Sequence, residues 1–154
     1  MYSKHHAVVS LVVAGLLGYA LAPIAVAGTT VPTPLVVAYG AAVGVFVDLD
    51  HLLIARFKTG TWDAVRFCLA DPIAAVADQR RIFDPGDVGV LSRLLSHLLI
   101  AGLVVPLLAL ASVPIAIVTG VVLYVHVVTD VAWDIWRLDR HANLSTDELI
   151  REVR

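Results

Sequence analysis

The sequence AYGAAVGVFVDLDHLLIA, residues 38–55, carries two carboxylates and an imidazole inside an otherwise apolar segment. No charged residue lies in positions 7–47, and Asp48, Asp50 and His51 then follow in quick succession. An acidic or basic side chain at the centre of a membrane-spanning helix costs about 2.5–3.5 kcal/mol on insertion scales, so such residues usually face a protein interior. We therefore expect these three side chains to bind a ligand.

Composition separates this chain from soluble domains. Its 154 residues are 59% hydrophobic and 16% charged, whereas soluble domains are roughly 45–50% apolar and 25% charged. The mean hydropathy is +0.86. These values predict one integral membrane domain whose main partner is the lipid bilayer. The net charge of -2 argues against a nucleic-acid partner, because a nucleic-acid surface needs a basic stripe to displace phosphate counterions.

Apolar segments of about 20 residues are long enough to cross a bilayer. Such segments predict spanning helices at 7–27, 35–57, 91–111 and 114–136. Gly40 and Gly44 favour a close contact between the second span and the first, because small residues four apart let helices approach. The polar stretch 58–90 predicts a short helical loop, and 137–154 a polar tail. The predicted fold class is therefore all-α, with residues 1–154 forming one four-helix membrane bundle.

The positive charges predict how the chain crosses the membrane. None of the 11 Lys and Arg residues falls in the short turns 28–34 and 112–114. Because positive residues concentrate on the cytoplasmic side, both termini and the loop are predicted to be cytoplasmic. The chain is thus predicted to be a multi-pass protein of the plasma (inner) membrane. A cleaved signal peptide is the alternative for the first segment, but the apolar run is longer than such peptides carry.

This orientation places the ionisable residues of the spans at the cytoplasmic ends of the helices. Ionisable residues with unrelated structural roles would not be expected to lie at the same depth in the membrane. Their shared depth indicates that four helices point these groups at a common site. The groups are His6 on the first helix, Asp48, Asp50 and His51 on the second, His97 on the third, and His126, Asp130 and Asp134 on the fourth.

Helical spacing pairs some of these side chains. His126 and Asp130 are four residues apart, so they share a helix face about 40° from each other. An imidazole nitrogen and a carboxylate oxygen aimed the same way are a natural pair of metal ligands. Asp48 and His51 also share a face, whereas Asp50 points away in an ideal helix. The spacing therefore predicts a metal site with Asp50 as its irregular member.

Asp50 can join such a site through a local helix distortion or a second metal, or it can pair with Arg93. The ligand types suit zinc or manganese and leave room for two ions. One alternative is a buried polar network that only holds helices together, and a single buried histidine such as His97 is often a packing residue. Another alternative is an ion or proton transporter, because membrane-embedded Asp and His also line such pathways. For Asp134, an interface residue that reaches toward water or pairs with Arg137 is favoured over a metal ligand.

Four short motifs resemble a known family. They are His6 at the start of the first span, Asp48-Leu49-Asp50-His51 at the end of the second, Ser96-His97 in the third, and His126 with Asp130 in the fourth. Together they resemble the membrane-bound metal-dependent hydrolases of the YdjM-like family, small four-helix membrane proteins grouped with zinc-dependent phospholipase C and P1-type nucleases.

The resemblance implies a divalent metal site and hydrolysis of a phosphoester or lipid-like substrate. For catalysis, the convergent acids and histidines suggest Asp50 or Asp48 as general base and Arg93 as the group that stabilises an anion. The third motif departs from the family pattern, because Ser92 and Leu94 replace its first histidine and its glycine. A non-enzymatic member is therefore the alternative. The implied metal ligands are His6, Asp48, Asp50, His51, His97, His126 and Asp130.

Overall fold

The structure, a computed structural model, describes residues 3–73, 81–84 and 86–152. This part of the chain is mostly helical. The helices are α1 (Ser3–Ala20), α2 (Thr33–Phe46), α3 (Asp50–Thr59), α4 (Asp63–Ala70), α5 (Val90–Ala111) and α6 (Val113–Glu152), with a 3-10 turn at Val47–Leu49 between α2 and α3. Two short strands, β1 (Ile24–Val26) and β2 (Thr29–Val31), pair antiparallel.

Three helical segments are long and apolar enough to cross a bilayer, judged by length and composition. They are Thr33–Thr59, which includes α2, the 3-10 turn and α3, then Val90–Ala111 and Val113–Leu138. These segments match the second, third and fourth predicted spans. The first predicted span corresponds to a shorter apolar helix, His5–Ala20.

The first apolar segment does not stay helical to residue 27 as predicted. α1 ends at Ala20, and the following residues form the hairpin of β1 and β2. Pro23 has no backbone N–H to continue the helix. Ala27 and Gly28 have φ angles of 49° and 81°, and positive φ at both central residues is typical of a two-residue type I′ hairpin turn. Ile24 of the hairpin is buried against the helices, 2% exposed.

The loop after the second span and the tail after the fourth both contain helix. α4 confirms a helix in the loop, whereas residues 74–80 and 85 of the same loop lie outside the described part of the chain. The fourth span and the predicted tail form one helix, α6, which continues to Glu152. No Gly or Pro follows Gly120 in the sequence, so no residue with a strong helix-breaking tendency separates span from tail.

α1 and α2 pack closely through small residues, as the spacing of the two glycines predicts. Gly40 lies against Ala14, and Gly44 lies against Ser10. A Cβ atom at Gly44 would lie 2.6 Å from the Cβ of Ser10, closer than real Cβ contacts allow. Glycine is therefore required at this crossing, which sets the distance between the first two helices.

The apolar core lies toward the opposite end of the helices from the ionisable groups, where α1, α2 and α6 pack against one another. α5 packs against α6. Within the bundle, the Tyr39 hydroxyl donates a 2.7 Å hydrogen bond to Thr119 Oγ1, which donates in turn to the Ile115 carbonyl at 2.9 Å. This chain of bonds ties α2 to α6. The buried core residues are Ala14, Ile24, Val36, Val118 and Val122.

Tyr39→Phe is expected to lower the free energy of unfolding by about 1 kcal/mol, the net value of a typical hydrogen bond. The loss is limited because Thr119 keeps its bond to Ile115. Thermal unfolding of the detergent-solubilised protein measures the change, with Tyr19→Phe as the control because Tyr19 is 86% exposed. Equal stability of the two variants would show that the Tyr39 bond does not couple the helices.

Candidate metal centre

Ionisable side chains from four helices and the 3-10 turn meet at one end of the structure. The site is almost closed to solvent, because the side chain of His126 is 0% exposed and those of Asp48 and His51 are 14% exposed. All seven predicted metal ligands belong to this cluster, which we call the His/Asp cluster. It consists of His6, Asp48, Asp50, His51, His97, His126 and Asp130.

One carboxylate oxygen stands at the centre of the His/Asp cluster. Asp48 Oδ1 lies 3.2 Å from His126 Nε2, 3.5 Å from His97 Nε2 and 3.6 Å from His51 Nε2. Asp50 Oδ1 approaches two of the same imidazoles, at 3.6 Å from His51 Nε2 and 3.7 Å from His97 Nε2. Three imidazoles and two carboxylates therefore share a small volume.

The 3-10 turn explains how Asp50 joins Asp48. In an α-helix, side chains two residues apart point about 160° away from each other. In a 3-10 helix, with three residues per turn, the angle falls to about 120°. The turn at Val47–Leu49 thus supplies the distortion that the sequence required for Asp50. A partner role for Arg93 is not needed to place Asp50.

His126 has its proton on the far side of the ring from the two carboxylates. Its Nδ1 lies 2.9 Å from the carbonyl oxygen of Gly44, and a carbonyl can only accept, so Nδ1 is the donor. In the neutral imidazole, Nε2 then carries a lone pair. That lone pair faces Asp48 Oδ1 at 3.2 Å and Asp130 Oδ2 at 3.6 Å. Acceptors that face each other repel unless a proton or a metal cation lies between them.

Several buried atoms of the cluster make no hydrogen bond to the residues that the structure describes. A buried polar group left without a partner costs about 1–3 kcal/mol. The N···O distances of 3.2–3.7 Å match the edges of a tetrahedron with metal–ligand bonds of about 2.0–2.2 Å, which are roughly 3.3–3.6 Å long. By these N···O distances, the cluster could hold a metal ion. The atoms are Asp48 Oδ1, both carboxylate oxygens of Asp50, and Nε2 of His51, His97 and His126.

Asp130 is engaged by different neighbours. Its Oδ1 lies 3.0 Å from His6 Nε2, within hydrogen-bond distance, and its Oδ2 lies 3.4 Å from Arg93 Nε. Arg93 also pairs with Asp134 through its terminal nitrogen. The ring of His6 stacks on that of His126 with 3.8 Å between centroids. We call His6, Arg93, Asp130 and Asp134 the arginine network.

Asp134 is a residue of the site that the sequence reasoning placed at the membrane interface. Its side chain is 14% exposed and contacts Arg93, which reaches it from α5. The available signal was its position four residues after Asp130 on α6, which puts both carboxylates on one helix face. The arginine that joins them lies on another helix, so spacing along α6 could not reveal it.

The ligand atoms of the cluster form three trios, and within each trio the atoms all lie within 4.8 Å of one another. The trios are Asp48, His97 and His126; Asp50, His51 and His97; and His6, His126 and Asp130.

A shallow cavity between α5 and α6 reaches the cluster and is lined by Arg93, His97 and apolar side chains such as Leu94 and Val127. Phe83 of the loop lies edge-on to His51, with 6.2 Å between ring centroids.

Comparisons of this chain with protein-family models, curated proteins and solved structures find no match. The resemblance to the YdjM-like hydrolases therefore rests on the short motifs alone. Geometry, rather than kinship, supports the functional proposal.

Proposed function

We propose that this chain is a membrane-embedded metal-binding protein, and that it is a metal-dependent hydrolase acting on a phosphoester or lipid-like substrate at the cytoplasmic face. The observation that carries the proposal is the position of Asp48 Oδ1, 3.2–3.6 Å from three imidazole nitrogens. A carboxylate among imidazole nitrogens offers the oxygen and nitrogen ligands that zinc and manganese accept.

The proposed architecture is a four-helix bundle in the plasma membrane. The three long apolar helices support it, and α1 provides the fourth, shorter apolar helix. α1 is long enough to cross most of the hydrocarbon core, because 18 residues rise about 27 Å at 1.5 Å per residue. The distribution of positive charges supports a cytoplasmic position for both termini, the loop and the His/Asp cluster.

The residues fit a divalent cation in two further respects. Asp48 and Asp50 supply two negative charges in a nearly closed site, which a cation would balance. The bond from His126 Nδ1 to the Gly44 carbonyl orients the ring so that Nε2 faces Asp48 Oδ1. Histidines that bind metals usually donate their other ring N–H in this way. His51, His97 and His126 would hold the ion together with one or both of these carboxylates.

A divalent cation bound here would supply Lewis-acid polarisation of a phosphoryl or acyl oxygen and would make a nearby water more acidic. The chain's own carboxylates can accept the proton of that water. Asp48 is better placed for this role than Asp50, because its side chain is 14% exposed and that of Asp50 is 6% exposed. Arg93 borders the cavity that leads to the cluster, where its charge can stabilise an anionic group if Asp134 releases it.

Metal analysis of the protein purified in detergent is expected to find stoichiometric zinc or manganese. A chelator is expected to lower the melting temperature by roughly 5–10 °C, because a ligand at 100 times its Kd adds about 2.7 kcal/mol and 1 kcal/mol corresponds to about 2–4 °C at this chain length. Re-addition of the metal should restore the melting temperature. A protein without bound metal, whose melting is unchanged by chelator, would exclude the proposal and leave a polar network that only holds the helices.

The hydrolase part needs a separate test. The metal-loaded protein in lipid vesicles should release product from a phosphodiester or ester lipid analogue, and chelator should stop the release. A protein that retains metal but hydrolyses neither substrate would be the non-enzymatic alternative, consistent with the altered third motif at Ser92 and Leu94.

A further inference from the structure

We infer that Asp130 is a positioning residue outside the metal shell, and that the arginine network holds His6 and thereby His126 in place. This inference rests on the proposed metal site. It differs from the prediction that both His126 and Asp130 are ligands. The contacts of the three buried carboxylates, Asp48, Asp50 and Asp130, support this inference. By their neighbours, these carboxylates are of two kinds.

The first kind comprises Asp48 and Asp50. Asp48 Oδ1 and Asp50 Oδ1 have imidazole nitrogens as their neighbours, and neither makes a hydrogen bond to a residue within the described ranges. These oxygens are arranged for a cation that the imidazoles share. Asp130 is of the second kind, because Oδ1 lies 3.0 Å from His6 Nε2. Its Oδ2 lies 3.6 Å from His126 Nε2 but closer, at 3.4 Å, to the permanently charged Arg93 Nε.

The guanidinium also disfavours a metal at Asp130. Arg93 is always charged in proteins, and its Nε lies 3.4 Å from the oxygen that a cation would need. A cation there would meet a like charge at short range in a poorly solvated site. It would also have to displace the proton shared by His6 and Asp130 Oδ1. The trio of His6, His126 and Asp130 is therefore less suited to a metal than the two trios that contain His97, although its atoms are equally close.

The role of Asp130 follows from its contact with His6, which in turn contacts His126. The His6 ring stacks on the His126 ring, with centroids 3.8 Å apart and planes inclined by 19°. On the opposite helix, the Gly44 carbonyl accepts from His126 Nδ1. His126 is thus fixed on one side by a hydrogen bond and on another by a stacked ring that Asp130 holds.

The arginine network requires the shape of an arginine. Arg93 uses Nε for Asp130 and a terminal nitrogen for Asp134, so one side chain from α5 spans two carboxylates of α6. The single ammonium of a lysine cannot reproduce this fork. Asp134 therefore anchors Arg93 in the orientation that faces Asp130.

The test compares Asp130→Asn with Asp48→Asn and with Asp63→Asn, a control whose surface side chain is 72% exposed. We expect Asp130→Asn to keep the metal stoichiometry of the wild type and to lose about 10–100-fold in metal affinity, the usual effect of removing an outer partner. Asp48→Asn should lose the metal itself. Equal loss of stoichiometry in Asp130→Asn and Asp48→Asn would overturn the inference and leave the metal site standing. A wild-type protein without metal would overturn both.

Arg93→Lys and Asp134→Asn provide the second measurement. Both are expected to weaken metal affinity about 10–100-fold. Arg93→Lys, which keeps the positive charge beside Asp130 and Asp134, should leave the melting temperature of the metal-free protein within a few degrees of wild type. A purely structural network would give the reverse pattern, with a lower melting temperature of the metal-free protein and unchanged affinity. That pattern would contradict the positioning role.

Discussion

Asp48→Asn is expected to abolish metal retention. Asp48 Oδ1 is the atom that approaches the imidazoles of His51, His97 and His126 together. Asparagine keeps the shape of the side chain but removes the negative charge, and its amide oxygen is a much weaker ligand for zinc. Metal content measured after gel filtration should fall from stoichiometric to background, and hydrolysis, where the wild type shows it, should fall with it.

The same substitution separates the metal site from a polar network. Without metal, Asp48 is a buried carboxylate whose charge the neighbouring imidazoles can balance by taking up a proton, so its neutralisation should change the stability of the apoprotein little. With metal, the variant should melt below the wild type, at the temperature of the chelated protein. Asp63→Asn, which neutralises a surface carboxylate, should behave like the wild type in both conditions. Full metal retention by Asp48→Asn would remove the central ligand from the proposal.

Gly44→Ala is expected to destabilise the bundle by about 1–3 kcal/mol, and by more if the helices cannot separate. The added Cβ would overlap Ser10 of α1 and lie 3.3 Å from a methyl of Val122 on α6. Movement of α2 would also shift the Gly44 carbonyl, which accepts from His126 Nδ1. We therefore expect a lower melting temperature and weaker metal binding from one methyl group.

Gly102→Ala is the matched control for Gly44→Ala. Gly102 lies on a spanning helix, and a Cβ there would meet no described atom within 4 Å. The same substitution should be neutral or stabilise by up to about 1 kcal/mol, because alanine favours helix more than glycine does. Ser10→Gly should rescue part of the Gly44→Ala loss, since it removes the side chain that the new methyl meets. Similar effects of the two alanines, or no rescue by Ser10→Gly, would show that the Gly44 crossing is not tight.

In the proposed function, the cavity between α5 and α6 is the place where a lipid-like substrate would bind. It is bounded by Arg93 and Asp134 on the polar side and by apolar residues such as Val90 and Val131. A lipid-like substrate needs both an apolar surface and a polar end at the site. The lipid vesicle assay tests for such a substrate, because a soluble phosphoester has no apolar part to contact the apolar side of the cavity.

The sequence by itself determined the apolar character of the long helices and the position of the reactive groups along the chain. Apolar runs locate spanning segments because transfer of backbone and side chains into lipid depends on local composition. The charge pattern and the 3.6-residue period then put His6, Asp48, His97 and His126 near one end of the helices. These inferences need no knowledge of how the helices pack.

Tertiary structure decided the details that set the chemistry. The hairpin after α1, the 3-10 turn that turns Asp50 toward Asp48, and the reach of Arg93 to Asp134 depend on backbone geometry and on contacts between residues distant in sequence. Hydropathy and helical periodicity describe one helix at a time, so they cannot give a distance between two helices. At Gly44, the absence of a side chain sets that distance between α1 and α2, and the Gly44 carbonyl lies where His126 Nδ1 donates to it.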